Sequence, residues 1–273
     1  MKAVTQVLLK RLARAARPYL KSSGLLQVSG VYNRSALVWQ PGSERVLVLA
    51  PHMDDETIGC GGTLALHAQR GARITVVFLT DGRKGSSALN ALKGDDLERA
   101  RAELVQRRRR EAERALARLG IQHMVCLDAE DGALSASSWA AERLRPVLLE
   151  VRPQLVYVPF YLEEHADHRA ASRVLLDAAQ GTSLDFMCVG YEVWTPLFPN
   201  CLVRIDDTMA VKKAALSEYH SQLAETDYLH ACVGLNAHRS AGLLDARGGY
   251  AEAFHISSLS AYRDSYVRYS ATD

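Results

Sequence analysis

From about residue 40 onward, short apolar runs alternate with longer amphipathic ones, and the short runs are rich in Val, Leu and Ile almost throughout. These two observations predict an α/β fold of Rossmann-like type, a mostly parallel sheet with helices on both faces. A third observation, the less regular pattern after Thr195 with breaks at Pro196 and Pro199, adds a smaller C-terminal subdomain. The expected organisation is a basic amphipathic helix over residues 1–24, a Rossmann-like core over 40–194, and 195–273 completing the same domain.

Strands are expected at Arg45 to Ala50, Arg73 to Thr80, His123 to Asp128, Gln154 to Phe160 and Met187 to Trp194, where β-branched, aromatic and aliphatic residues cluster. Helices are expected between them, at Thr57 to Arg70, Leu97 to Leu119, Ser138 to Val151 and Asp167 to Ala179. Gly71 and Gly120 follow two of these, as helix stops do. Beyond Thr195 the pattern reads as a short strand, two helices and loops. At the N-terminus Val4, Leu8, Leu12, Ala15 and Tyr19 recur at helical spacing, with Lys10, Arg11, Arg14, Arg17 and Lys21 largely opposite. Such a stripe is expected to pack on the body of the protein or on a second subunit; peripheral contact with an anionic membrane surface is the competing use.

Bulk properties remove several competitors. A chain of 273 residues, 48% hydrophobic and 23% charged, can bury a full core. A net charge of +2 is too small to imply a nucleic-acid partner. The five cysteines, Cys60, Cys126, Cys188, Cys201 and Cys232, are odd in number and form no Cys-x-x-Cys pair, so neither a disulfide framework nor a zinc knuckle is indicated. No apolar run reaches the roughly 20 residues of a membrane span, and a cytoplasmic protein, peripheral to a membrane at most, is the expectation.

Chemistry concentrates in two short segments. Pro51-His52-Met53-Asp54-Asp55-Glu56 follows the first strand, and His165-Ala166-Asp167-His168 follows the fourth. In an open α/β sheet, loops at the carboxyl ends of the strands converge on one site, so distant segments can share a metal. Catalytic zinc takes three protein ligands and keeps a position for water. His52, Asp55 and His168 are the candidate ligands, with another divalent metal such as Fe2+ an alternative. Asp54, adjacent to a ligand, suits the general base. His165, one helical turn before His168, suits stabilisation of a developing oxyanion. Asp167 is placed to hold the His165 ring or to support a ligand histidine. Glu56 is read as a helix cap, and Gly59-Cys60-Gly61-Gly62 as close backbone packing, since the Gly-x-Gly-x-x-Gly spacing of a dinucleotide loop is absent. His67, His123, His220, His230, His238 and His255 are read as structural or surface residues.

These segments, with Gly59-Cys60-Gly61-Gly62-Thr63 and Thr80-Asp81-Gly82, resemble the zinc-dependent de-N-acetylases of the PIG-L (LmbE-like) family. Weaker likeness continues through Lys213, His220-Ser221-Gln222 and Tyr250 to Phe254. The resemblance implies removal of an N-acetyl group from an amino-sugar conjugate of N-acetylglucosamine type, small or lipid-linked. It implies the same roles for His52, Asp55, His168, Asp54 and His165, and a match between Arg110 and an arginine that contacts substrate in relatives. The plain alternative for Arg107 to Arg110 is a solvated helix face. Met53 stands where the family commonly has proline, and Glu163-Glu164 precede His165 where members differ, so no role transfers to that pair. The rival readings are the same chemistry on another amide, such as an antibiotic or thiol precursor, and a non-catalytic Rossmann-like nucleotide- or sugar-binding module.

Overall fold

The computed structural model describes residues 36–243 and 248–270; the basic helix expected over residues 1–24 lies outside them. Among the described residues eight strands form one sheet in the order β1-β7-β8-β6-β5-β2-β3-β4. In chain order these are β1 (Leu37–Val38), β2 (Arg45–Ala50), β3 (Arg73–Thr80), β4 (His123–Ala129), β5 (Leu155–Pro159), β6 (Met187–Tyr191), β7 (Cys201–Arg204) and β8 (Ala251–Ser258). The helices are α1 (Asp55–Gln69), α2 (Gly94–Leu119), α3 (Trp139–Val151), α4 (Ala166–Ala179), α5 (Met209–Leu216), α6 (His220–Leu223), α7 (Tyr228–Ser240) and α8 (Leu259–Ser270). Every pairing is parallel except those of β8 with β6 and β7.

The side-chain alternation of β2 shows why a continuous apolar run is required. Val46, Val48 and Ala50 point into a core shared with α1, α2 and α5, while Leu47 and Leu49 point into a second core with α3, α4 and α8. A strand buried on both faces has no polar position to spare. The five strands expected within 40–194 are all present, with ends shifted by a few residues, and Gly71 and Gly120 end their helices at φ of 78° and 80°. Beyond Thr195, where the sequence pattern reads as one short strand and two helices, two strands are present, β7 and β8, both in the main sheet, and α5, α6, α7 and α8 pack around it. Its strand β8, Ala-Glu-Ala-Phe-His-Ile-Ser-Ser, mixes small and polar residues with few large apolar ones, which hides it from a pattern search.

The arrangement sends the chain ends of β2, β3, β4, β5 and β6 to one edge, because these five strands run the same way. Helix α1 lies close against the sheet: a Cβ on Gly59 would meet Tyr191 at 2.2 Å, and one on Gly62 would meet Ile205 at 2.8 Å. Among the described residues no helix is long and apolar enough to cross a membrane.

Candidate active site

Pro51 turns the chain out of β2, and its carbonyl is fixed to the end of β3 by the Thr80 N–H at 3.0 Å and hydroxyl at 2.8 Å. Three residues beyond His52, Asp55 opens α1 and accepts the His52 N–H at 2.8 Å. That bond folds the loop so that His52 Nδ1 lies 3.3 Å from Asp55 Oδ2. From the first turn of α4, the helix that follows β5, His168 places Nε2 3.3 Å from the same oxygen and 3.4 Å from His52 Nδ1. A tetrahedral ion with ligand bonds of about 2.0–2.1 Å has ligand-to-ligand edges of about 3.3–3.4 Å. The triangle is one face of that tetrahedron, so these donors fit a divalent cation.

The outer atoms of both rings are also held. His52 Nε2 lies 3.3 Å from both Asp131 Oδ1 and Asp167 Oδ2, and His168 Nδ1 faces Glu163 Oε2 at 3.5 Å. Placing the ring protons on those outer nitrogens leaves Nδ1 of His52 and Nε2 of His168 as lone pairs facing each other. The carboxylates are anchored in turn. Asp167 accepts from Gly132 N at 2.7 Å and Leu134 N at 3.0 Å, Asp131 from Lys84 N at 2.9 Å, and Glu163 from Val193 N at 2.6 Å. Burial works against charge here, yet the surrounding carboxylates pull the His52 ring well above its ordinary value and His168 up to about 9. Burial also opposes the Asp55 and Asp131 carboxylates, but the rings hold Asp55 far below the usual carboxylate range and Asp131 at about 2. The centre therefore favours positive charge. Among the described residues two further donor groupings exist, His52 with His165 and His168, and His52 with Asp131 and Asp167. The second uses the outer face of His52, where the carboxylates act better as its hydrogen-bond partners.

Asp54 and His165 flank the triangle. Asp54 is buried, with φ at 140° and ψ at −28°, a strained conformation of the kind that costs about 1–3 kcal/mol. Burial pushes its carboxyl up to about 7, against the pull of the Arg108 guanidinium 3.5 Å away. His165 caps α4, its Nδ1 accepting the Asp167 N–H at 3.2 Å, which leaves Nε2 to carry the proton in the neutral ring. Burial, then the neighbouring His52 and His168, lower its pKa and keep it neutral. The Asp167 carboxylate therefore bonds to His52, while its backbone N–H bonds to His165.

A cavity of about 300 Å³ opens over these groups. His52, Asp54, Asp55 and His165 line its floor, with Arg108, Asp131, Trp194, Gln222 and Tyr228 around them. Arg110 is not among them: it is exposed on α2, while Arg108 is buried in the site. Two positions on a helix are about 200° apart, so the placement of Arg110 in the site is corrected to Arg108. Sequence reading also missed Asp131, Glu163, Trp194 and Tyr228. Asp131 follows β4 at the predicted sheet edge, a signal that was present, whereas Tyr228 arrives from the C-terminal helices and carries none. Glu56 is more than a cap: fully buried, it accepts the Tyr219 hydroxyl at 2.6 Å and the Asp54 N–H at 3.2 Å.

Residues 47–179 match the family model described as PIG-L, GlcNAc-PI de-N-acetylase. Over 200 residues the chain is 29% identical to diacetylchitobiose deacetylase of Thermococcus kodakarensis, covering 67% of this chain and 71% of that one. It spans between 49% and 60% of the lengths of seven further curated relatives. Among solved structures, N,N′-diacetylchitobiose deacetylase from Pyrococcus horikoshii shares the fold with a TM-score of 0.67 at 24% identity, over 80% of this chain and 85% of that one. The 4-carboxy-2-hydroxymuconate hydratase GalB from Pseudomonas putida aligns with a TM-score of 0.59 at 25% identity, over 77% of this chain and 95% of that one.

Proposed function

We propose, from the match of residues 47–179 to the PIG-L family model, that this chain is a metal-dependent hydrolase removing the N-acetyl group of a small amino-sugar conjugate. The observation that carries the reading is the triangle of His52 Nδ1, Asp55 Oδ2 and His168 Nε2, with edges of 3.3, 3.3 and 3.4 Å, beside the buried Asp54 carboxyl, which burial pushes up to about 7. Those three residues would hold the metal. We assign zinc, since two imidazole nitrogens and one carboxylate oxygen are a donor set that catalytic zinc takes with one position left for water, and ferrous iron, which takes the same set, is the alternative.

When bound, such an ion polarises the acetamide carbonyl and acidifies water beside it. Asp54 takes the proton of the attacking water, its pKa near neutrality suiting it to both accept and return one. His165 donates its Nε2–H to the acetamide oxygen as negative charge grows there. Asp131 and Asp167 keep the His52 ring in one tautomer and orientation. Asp54 then passes its proton to the departing nitrogen. One water O–H bond and the amide C–N bond break, a C–O and an N–H bond form, and acetic acid and the amine leave, ionising in water to acetate and ammonium. Trp194 and Tyr228, packed edge to face at 5.4 Å, form an aromatic wall on which the apolar face of a sugar ring can lie.

The shared fold of a hydratase makes the reaction type depend on the site and not on topology. Acetate release is therefore the test, measured on N,N′-diacetylchitobiose, N-acetylglucosamine and nucleotide-linked and lipid-linked N-acetylglucosamine, before and after chelation and zinc restoration. Zinc-restored acetate release from one of these is expected. Failure of every member to release acetate from zinc-loaded protein refutes amino-sugar deacetylation, and activity that survives complete metal removal refutes the metal role.

A further inference from the structure

Asp54 is held in a conformation that L residues rarely adopt, with φ at 140°, and such a conformation persists only where its surroundings impose it. Its side chain makes no capping bond to α1, so capping does not account for it. The peptide unit joining Met53 to Asp54 is instead held at both polar ends. Its carbonyl, Met53 O, accepts from Arg108 Nη2 at 2.9 Å, and its N–H, on Asp54, donates to Glu56 Oε2 at 3.2 Å. On the following peptide, Asp54 O accepts from Thr57 N at 3.0 Å and Ile58 N at 2.9 Å. Rotation about the Asp54 backbone is opposed on either side of its Cα.

Glu56 is itself fixed from a distant part of the chain. Its second oxygen, Oε1, accepts from the Thr57 hydroxyl and from the Tyr219 hydroxyl, the latter at 2.6 Å. Tyr219 is fully buried in the turn between α5 and α6. Phenylalanine would fill the same apolar space, so packing alone does not call for the hydroxyl. Three donors on one buried carboxylate leave it a single orientation, and that orientation presents Oε2 to Asp54.

We propose that Glu56 and Tyr219 are positioning residues for Asp54, completing with Arg108 a clamp on the Met53–Asp54 peptide that aims the Asp54 carboxylate into the cavity. The proposal rests on the reading of Asp54 as the proton-transfer group. Neither residue touches substrate; both act through the backbone of Asp54. A displacement of that carboxylate lowers turnover without touching the groups that bind sugar.

The test uses the full-length, zinc-loaded protein with Tyr219→Phe, Glu56→Gln and Asp54→Asn, singly and with Y219F combined with D54N. Steady-state rates are taken on N,N′-diacetylchitobiose or on the panel member turned over fastest. Y219F is expected to lower kcat about tenfold with KM and zinc content unchanged, and E56Q to lower it further. In the D54N background Y219F is expected to add no loss, since the group it positions is gone. Losses that multiply in the double variant overturn the clamp, as does unchanged kcat in Y219F. D54N at full turnover instead removes the assignment of Asp54 itself, so the two failures are distinct. Crystal structures give a reading independent of activity: Asp54 is expected to leave its positive φ in E56Q or Y219F, and its retention in both variants overturns the proposal.

Discussion

Replacing Lys212 with methionine tests how firmly the catalytic edge is held from behind. Lys212 is fully buried and its three donors are all used, on Ile58 O at 2.8 Å, Asn236 Oδ1 at 2.9 Å and Glu252 Oε1 at 2.5 Å. Glu252 in turn accepts from Gly62 N at 2.9 Å and Thr63 N at 2.7 Å. The pair thus fastens α1, the helix that begins at Asp55, to β8 and α5. Removing one partner of a buried ion pair costs about 3–5 kcal/mol, because the other charge stays behind uncompensated. The two backbone donors left on Glu252 place the expected loss near the lower end, at about 3 kcal/mol. With about 2–4 °C of Tm per kcal/mol for a domain of this size, K212M should melt about 6–12 °C below the parent. Lys213 is exposed, and K213M should stay within about 0.5 kcal/mol of it. K212M combined with Glu252→Gln should recover part of the loss, since no buried charge is then unpaired. Thermal and urea melts of the zinc-loaded proteins check all three, and a Tm for K212M within about 1 °C of the parent refutes the argument.

Three further outcomes follow from the same contacts. Arg108→Lys should lose tenfold or more in kcat/KM, roughly 1.4 kcal/mol or above, because an ammonium cannot span the Met53 and Gly82 carbonyls and Asp54 together, whereas Arg110→Ala should stay within twofold. Trp194→Ala should raise KM for a disaccharide about fivefold with little change in kcat, the loss of about 1 kcal/mol of aromatic contact; a larger effect on kcat than on KM would place Trp194 elsewhere in the reaction. His67 is buried between Gly42 O at 2.8 Å and the Tyr157 hydroxyl at 3.0 Å, and burial lowers its pKa below 6.5. As pH falls below 6.5 the unfolded chain takes up a proton that the folded one resists, so stability held above that pH is progressively lost. His67→Gln should therefore be less stable than the parent at pH 7 by a margin that narrows toward pH 5; a margin that widens in melts across this range would contradict the neutral buried ring.

What the sequence disclosed and what it hid divide along a physical line. The strands of the sheet's parallel part are legible because burial on both faces forces an unbroken apolar run, as in Val46 to Leu49. The meeting of His52, Asp55 and His168 is legible because their residue types are uncommon together and because parallel strands deliver their following segments to one edge. Strand β8 is hidden because its buried positions include Glu252, whose charge is satisfied by a lysine 40 residues away, a pairing that no local pattern encodes. Arg108 is hidden within the run Arg107 to Arg110, where composition is uniform and only the rotation of α2 decides which guanidinium faces Asp54. An error of two residues in helical phase is enough to exchange a solvated arginine for one in the active site.

Glu56 shows the same limit most sharply. Its position in the first turn of α1 fits a residue that complements the helix dipole, and nothing in the segment around it suggests otherwise. Its second role depends on Tyr219, brought to it by the packing of α5 against α1, and on the positive φ of Asp54, which no propensity anticipates for an aspartate between Met53 and Asp55. A motif therefore points to the candidate groups for substrate and metal, since their chemistry is carried by residue type. The groups that set where those atoms point act through shape, and shape belongs to the assembled fold. For this chain the consequence is concrete: transplanting the segment from Pro51 to Glu56 into another α/β sheet should carry over the donors but not the aim of Asp54, unless the counterparts of Arg108 and Tyr219 travel with it.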